Sequence, residues 1–388
     1  MFPLFLLFVY TSLGTPFNST SVTVTGGIGG DGTHGRSWSI VNAGRLLVAT
    51  GKDVHLSGDG EGGARSESNS IIVTANTIAS ANLGFAVVES SSSVTGGGEE
   101  GTTERTTDAS LVGFHLALGH LVEFTDDNGI VGLQADDSIS GWYNLRYLLR
   151  QWNGIDCGTN AIGTSDSVVH TCVLSTSDGV FTARISVSEE DAEVDGTPVS
   201  PDRVKVDIGI ANWFGGDAPL SPANAIQRGL GNYKGPSSAA DQPNARLGLT
   251  AVIVAKTRTA SWDGSRSVDS SSGTVKVEGE LSFGGGDADT SAFFDWEQED
   301  SAGVGVTATV LDETPSQYPA HEAIQAYLDA ENSKDGVTAK FMTFSFNEDR
   351  VASVSWDPEF ALEASPAIRP IVASAVATWC LAAAVFAW

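Results

Sequence analysis

Residues Lys340–Trp356 read KFMTFSFNEDRVASVSW, and this stretch indicates the fold class more clearly than any other. Met342, Phe344 and Phe346 alternate with less apolar residues, which is the pattern of a half-buried strand. A second alternating run, VASVSW, follows the short polar segment EDR. We therefore predict an antiparallel hairpin in which two apolar rows pack together. The second row would be Ala352, Val354 and Trp356.

Similar runs occur along most of the chain. TVKVEGELSF (Thr274–Phe283) alternates with a period of two, and LVGFHLAL, VFTARISV, RVKVDIGI and LTAVIVAK are equally typical of strands. One helix is predicted near 319–331, where Ile324, Tyr327 and Leu328 form an apolar stripe. Many strands and a single short helix predict a mainly β fold with antiparallel, β-sandwich-like sheets.

Composition divides the chain into four parts. We expect a signal peptide over 1–14, a Gly/Ser/Thr-rich β region and linker over 15–108, and an antiparallel β domain over 109–360. Residues 361–388 would be a lipid-anchor signal or a membrane tail. The linker is predicted from SSSSVTGGGEEGTTERTTD (90–108), which has almost no apolar content.

The two ends of the chain predict its location. The apolar run Phe2–Tyr10 is too short to span a bilayer, and the small residues Ser12 and Gly14 follow it at the positions that a signal peptidase reads, so we expect cleavage after Gly14. Pro370–Trp388 is uncharged to the end and about long enough to span. A lipid-anchor signal at Ala364, a true span and a buried C-terminal element are the alternatives, and we favour the anchor.

These end signals predict passage through the secretory pathway to the extracellular face of a eukaryotic plasma membrane. The cysteines agree, because removal of the tail would remove Cys380 and leave Cys157 and Cys172 to form one disulfide. Two reduced buried cysteines are the alternative if the chain is not secreted. Asn18, in the sequon NST, is a predicted glycosylation site.

The protein is strongly acidic, with a formal net charge of -27 and a pI of about 4.3. The electrostatic field of such a charge repels nucleic acid and attracts cations and cationic partners. We expect no nucleic-acid partner, and an unknown extracellular protein or glycan in addition to the membrane. A saline environment would explain the charge without any specific ligand.

Two groups of acidic residues are candidates for chemistry. Asp295, Glu297 and Glu299 would share one face of a strand in FFDWEQED, and paired carboxylates beside tryptophan are typical of glycoside hydrolases. The alternative is a solvated strand face. The six histidines form no zinc or nucleophile motif.

The second group lies in TDDNGIVGLQADD, where Asp126, Asn128, Asp136 and Asp137 could supply oxygen ligands to Ca²⁺. The loop is not an EF-hand, since Val131 occupies the position that requires glycine. A polar β-turn is the alternative, and Ca²⁺ is the one cofactor that the sequence indicates.

We therefore expect a non-enzymatic surface protein for adhesion, ligand binding or coat formation. The alternative is a secreted or surface carbohydrate-active hydrolase that uses the carboxylates of FFDWEQED.

Overall fold

Over the residues that the structure describes, the protein is mainly β, with antiparallel sheets and one short helix, as the sequence predicts. The computed structural model describes the following residues: 20–24, 34–58, 64–76, 82–95, 104–145, 152–161, 168–188, 191–194, 197–200, 203–211, 213–214, 233–257, 260–261, 274–283, 286–295, 302–311, 314–315, 317–319, 321–334 and 337–363.

In the described part of the chain, the larger sheet has eleven strands. Its strands are β1 (Thr20–Val24), β2 (His34–Asn42), β3 (Leu46–Gly58), β4 (Ala64–Asn76), β5 (Asn82–Thr95), β6 (Glu104–Thr125), β7 (Ser138–Asn144), β14 (Tyr233–Lys234), β15 (Arg246–Thr257), β19 (Val306–Leu311) and β20 (Val337–Phe346). The order is β1-β2-β3-β4-β5-β6-β15-β20-β19, and β7 pairs with β6 and with β14.

The second sheet has nine strands within the described ranges. Its strands are β8 (Asp156–Ala161), β9 (Val168–Ser175), β10 (Phe181–Ser188), β13 (Arg203–Ala211), β16 (Ala260–Ser261), β17 (Thr274–Phe283), β18 (Gly286–Asp295), β21 (Ser353–Trp356) and β22 (Glu359–Glu363). The order is β16-β17-β18-β22-β13-β10-β9-β8, and β21 also pairs with β13. A separate two-stranded hairpin consists of β11 (Ala192–Val194) and β12 (Thr197–Val199).

The main core lies between the two large sheets. Alternate residues of β15 and β20 in the first sheet and of β10 and β13 in the second belong to one buried apolar cluster. Successive side chains of a strand point to opposite faces, so these rows are the inner faces of a sandwich. Indole N–H groups in this core find acceptors; for example, Trp38 Nε1 donates to Ser188 O at 2.7 Å.

The outer face of the larger sheet carries the helix. Helix α1 spans His321–Asn332 and buries Ile324 and Leu328 against a second cluster that includes Val252 and Phe341. Tyr327 packs against the same cluster, so the predicted apolar stripe is confirmed. The central strands are apolar on both faces because the helix covers one and the second sheet covers the other.

The prediction of a hairpin over Lys340–Trp356 is wrong. β20 pairs with β15 on one edge and β19 on the other, so it has no free edge for β21, which pairs with β13 in the opposite sheet. The two predicted apolar rows do meet, but across the core: the rings of Phe344 and Trp356 lie 4.5 Å apart. Ala352, by contrast, is exposed.

Much of the predicted linker is paired strand. β5 pairs with β6 through Ser91↔Asp108 to Thr95↔Glu104, and the predicted domain boundary after residue 108 falls inside β6. Backbone hydrogen bonds do not require apolar side chains, so low hydrophobicity alone did not identify a loop here. The division into domains stays a prediction.

Among the described residues, no helix is long and apolar enough to cross a membrane. The predicted signal peptide, Asn18 and Ala364 lie outside the described residues, and so does the predicted tail 361–388 apart from 361–363, which belong to β22.

Candidate functional site

The best-defined candidate site is the connection between β6 and β7, residues 126–137, which we call the acidic loop. Its base is closed by the pairing of Thr125 with Ser138, the last and first residues of the two strands. Its sequence, DDNGIVGLQADD, favours turns because Asp and Asn side chains bind nearby backbone N–H groups and glycine adopts positive φ.

Three carboxylates of the loop accept hydrogen bonds from backbone N–H groups of the loop and of Ser138. Asp137 is fully buried and accepts hydrogen bonds from the backbone N–H groups of Gln134 at 2.7 Å and Asp127 at 3.3 Å. Asp127 in turn accepts from the N–H of Ser138 at 3.2 Å, and Asp126 accepts from the N–H of Gly129 at 2.7 Å. The loop is therefore fixed by its own side chains.

Asp126 also connects the loop to the neighbouring strand. Its second carboxylate oxygen lies 3.1 Å from Arg246 Nη1 at the start of β15, and Arg246 Nε lies 3.2 Å from Asp349. Asn128 Nδ2 donates to Asp136 Oδ1 at 2.9 Å across the loop. Charge-assisted bonds of this kind are short and directional, which adds to the rigidity.

The pKa of Asp137 is raised above the usual 3.8. Burial is the largest cause, and the charges of Asp126 and Asp136 act in the same direction, whereas the N–H groups of Gln134 and Asp127 lower it. The loop therefore contains a carboxyl group that is harder to ionise than an aspartate in water.

The outer end of the loop is apolar. Ile130 and Val131 are 58% and 48% exposed, and we call this pair the tip. Leu133, only two residues further on, is fully buried, and its N–H donates to Ser345 Oγ at 3.0 Å. Gly132 makes the change of direction with φ of 95°.

The tip is unusual within the structure. Among residues whose exposure is described, large apolar side chains are exposed at four positions, Val41, Ile130, Val131 and Val168, and two of these are adjacent at the tip. Asp127, Asn128 and Asp136 are exposed around it. The loop thus presents a small apolar pair inside an acidic rim.

The predicted Ca²⁺ ligands all lie in this loop, and Asn128 contacts Asp136 directly. Asp126 and Asp137, however, accept hydrogen bonds from the loop's own backbone. Across the described part of the chain, no group of three or more His, Cys, Asp or Glu side chains is arranged to hold a metal ion. Calcium binding stays a prediction.

The other predicted sites have different outcomes. Cys157 and Cys172 form a disulfide between directly paired positions of β8 and β9, as expected. Asp295 is the last residue of β18, opposite Thr274, and the structure describes neither its side chain nor Glu297 and Glu299. The hydrolase carboxylates therefore stay a hypothesis.

Sequence reasoning missed a buried glutamate. Glu123, on β6 directly before the acidic loop, is fully buried and accepts from Trp213 Nε1 at 3.3 Å, from Ser140 Oγ at 2.7 Å and from the N–H of Ser237 at 3.0 Å. The hydroxyl of Ser237 donates to it as well. These hydrogen bonds join the segment before β15 to β6 and β7.

A buried lysine was also missed. Lys205 on β13 is fully buried beside Asp207 and Asp357. RVKVDIGI assigns it to the polar face of a strand, and only the fold shows that the β11–β12 hairpin covers that face.

Comparison with known proteins gives no assignment for this site. No protein-family model matches the chain, and no curated protein is significantly similar to it in sequence.

Proposed function

We propose that the protein is a non-enzymatic surface module that binds an extracellular partner through the tip of the acidic loop. The observation that carries this proposal is the exposed Ile130–Val131 pair on a loop held by hydrogen bonds from its backbone to Asp126, Asp127 and Asp137. Apolar groups exposed together within a polar rim are characteristic of interaction sites.

Rigidity favours binding by this loop. A flexible loop loses conformational entropy when a partner orders it, at about 0.5–1.5 kcal/mol for each immobilised side chain. Here Asp126, Asp127 and Asp137 already fix the backbone in the free protein. Binding through the tip would therefore lose little free energy to ordering of the loop.

The surroundings of the tip define the chemistry of the partner. The two apolar side chains fit a shallow apolar pocket, and the carboxylates of Asp127 and Asp136 favour basic groups at the edge of that pocket. The net charge of -27 would accelerate the approach of a cationic partner and repel polyanions. We propose an extracellular protein with a basic-rimmed apolar pocket.

The location belongs to the same proposal. The Cys157–Cys172 disulfide is of a kind that persists in oxidising compartments, which supports secretion. We propose that a lipid attached near Ala364 holds the module on the outer face of the plasma membrane. The loop would then be available to partners outside the cell.

The test is binding of the full-length protein, displayed on cells, to an array of purified extracellular proteins and oligosaccharides. The variant Ile130→Ser/Val131→Ser removes the tip, and Val41→Ser/Val168→Ser removes an equal number of exposed apolar side chains elsewhere. We expect at least one protein on the array to be bound by the wild type and the control, with a loss of about tenfold or more in affinity for the tip variant.

Equal binding by the tip variant and the control would contradict the assignment to the tip. Absence of any bound protein, together with cleavage of an oligosaccharide that is lost in Asp295→Asn, would favour the hydrolase instead.

A further inference from the structure

Beyond the proposed binding function, the cluster of Lys205, Asp207 and Asp357 has the geometry of a covalent cross-link site. Lys205 Nζ lies 2.8 Å from Asp207 Oδ1 and 3.3 Å from Asp357 Oδ2, and it donates a hydrogen bond to Val194 O at 3.1 Å. We propose that Lys205 Nζ condenses with the side chain of Asp357 to form an intramolecular amide bond, with Asp207 transferring the protons.

The fold places the three side chains together. Lys205 and Asp207 are two residues apart on β13 and share its outer face, because Val204, Val206 and Ile208 belong to the core between the sheets. Asp357 follows β21 directly.

The backbone on both sides of Asp357 is fixed on β13. Trp356 pairs with Ile208, Glu359 pairs with Lys205, and the N–H of Val206 donates to Pro358 O at 2.8 Å. The amine and the carboxyl group are therefore held close together, and such orientation raises the effective concentration of two reacting groups by many orders of magnitude.

Water has little access to the amine. The side chain of Lys205 is 0% exposed, whereas those of Asp207 and Asp357 are 14% and 19% exposed. The β11–β12 hairpin covers the cluster, since Val194 O contacts the amine and Val199 at the end of β12 is fully buried. Exclusion of water favours condensation over hydrolysis.

Asp207 is placed to accept the proton that the ammonium group of Lys205 must lose. Asp207 also has Arg184 near it, with Nη1 3.8 Å from its Oδ2, but burial together with the charge of Asp357 raises the pKa of Asp207 against the lowering effect of Lys205. Burial alone would lower the pKa of Lys205, but the two carboxylates raise it above the usual 10.5. The ammonium form is therefore favoured before the reaction, and the nucleophilic amine forms only when an ammonium proton moves to Asp207, its nearest carboxylate.

The reaction balances without an oxidant or a cofactor. The ammonium of Lys205 has three protons and the amide retains one of them. The nitrogen forms a bond to Cγ of Asp357, and the bond from Cγ to one carboxylate oxygen breaks. Asp207 passes the two remaining protons to that oxygen, which leaves as water, and Asp207 returns to its initial state.

The bond would join β13 directly to the chain between β21 and β22. These three strands lie near the centre of the second sheet. The cross-link would resist mechanical separation of the strands and proteolysis there. It is distinct from the disulfide at the β8 edge of the same sheet.

The experiment is peptide mass mapping of the purified, folded full-length protein after reduction and tryptic digestion. We expect a branched species that joins the peptide of Lys205 to the peptide of Asp357, lighter by one water molecule than the two peptides together, with no cleavage after Lys205. The species should be absent from Asp357→Ala and greatly reduced in Asp207→Ala, but unchanged in Asp349→Ala, which removes a carboxylate outside the cluster.

Wild-type protein that is folded by circular dichroism but yields separate peptides, with cleavage after Lys205, would overturn the proposal. So would a water loss that maps to another residue, such as a succinimide. This readout requires only the wild type, so it stands even if a variant fails to fold.

Discussion

Asp137 shows how one carboxyl group shapes the acidic loop and its response to pH. Its pKa is raised chiefly by burial, so the folded protein binds the proton more tightly than the unfolded chain does. The contribution of this group to the free energy of unfolding therefore falls as the pH rises from about 4 through its folded-state pKa.

We expect this effect to be visible in Asp137→Asn, which cannot ionise. Relative to the variant, the wild type should gain stability as the pH is lowered through that window, in urea denaturation series at several pH values. If the wild type instead gained stability relative to Asp137→Asn as the pH rose, the raised pKa would be contradicted.

Individual residues also mark the limit of sequence reasoning. Alternation assigned Lys205 to a strand correctly and made no prediction for Glu123, and it could not show that a hairpin covers the first or that Trp213 and Ser237 surround the second. Burial of a charged side chain depends on segments distant in sequence, so a local pattern contains no sign of it. The tip has a weak sequence signal, an apolar pair between Gly129 and Gly132.

At the scale of elements, two glycines of the acidic loop form a natural comparison. Both have positive φ, 75° at Gly129 and 95° at Gly132. A Cβ at Gly132 would lie 2.6 Å from Thr309 Oγ1, whereas a Cβ at Gly129 would meet nothing within 4 Å. The two positions share the backbone penalty but differ in steric contact.

We therefore expect Gly132→Ala to lower the free energy of unfolding more than Gly129→Ala does. The left-handed conformation costs about 1–2 kcal/mol for an alanine at either position, and the clash adds about 1–3 kcal/mol at Gly132. Urea denaturation of both variants gives the comparison. Equal losses would mean that the loop does not pack against β19 as described.

Elements were predictable where one local pattern determined them. β17 has the bounds of the alternating run TVKVEGELSF, and the helix near 319–331 is observed at His321–Asn332. The partners of β20 and β21, which lie in different sheets, were not predictable. Alternation indicates which face of a strand is buried but not which strand lies beside it.

The turn between β20 and β21 explains why the predicted hairpin does not form. Arg350 has φ of 52°, and its N–H donates to Ala245 O at 2.6 Å rather than across a hairpin. Its guanidinium donates to the carbonyls of Gln242 and Ser237. The segment is therefore held by the chain before β15, which directs it from one sheet to the other.

At the scale of the whole molecule, the fold class followed from strand content, whereas the arrangement of the sheets did not. Most contacts that define the sandwich join distant parts of the chain; for example, Asn42 at the end of β2 donates to Ile155 O at 2.8 Å. The disulfide was predictable because only one pair of cysteines remains once the tail is set aside.

The location of the protein on the outer face of the cell is a proposal on which the binding function depends. It is tested most directly by expressing the full-length chain in a eukaryotic cell and treating intact cells with a phosphatidylinositol-specific phospholipase. We predict release of a soluble protein whose C-terminal peptide ends near Ala364. Protein that stays with the membrane and retains Trp388 would contradict the lipid anchor, and Cys380 would then remain in the mature chain.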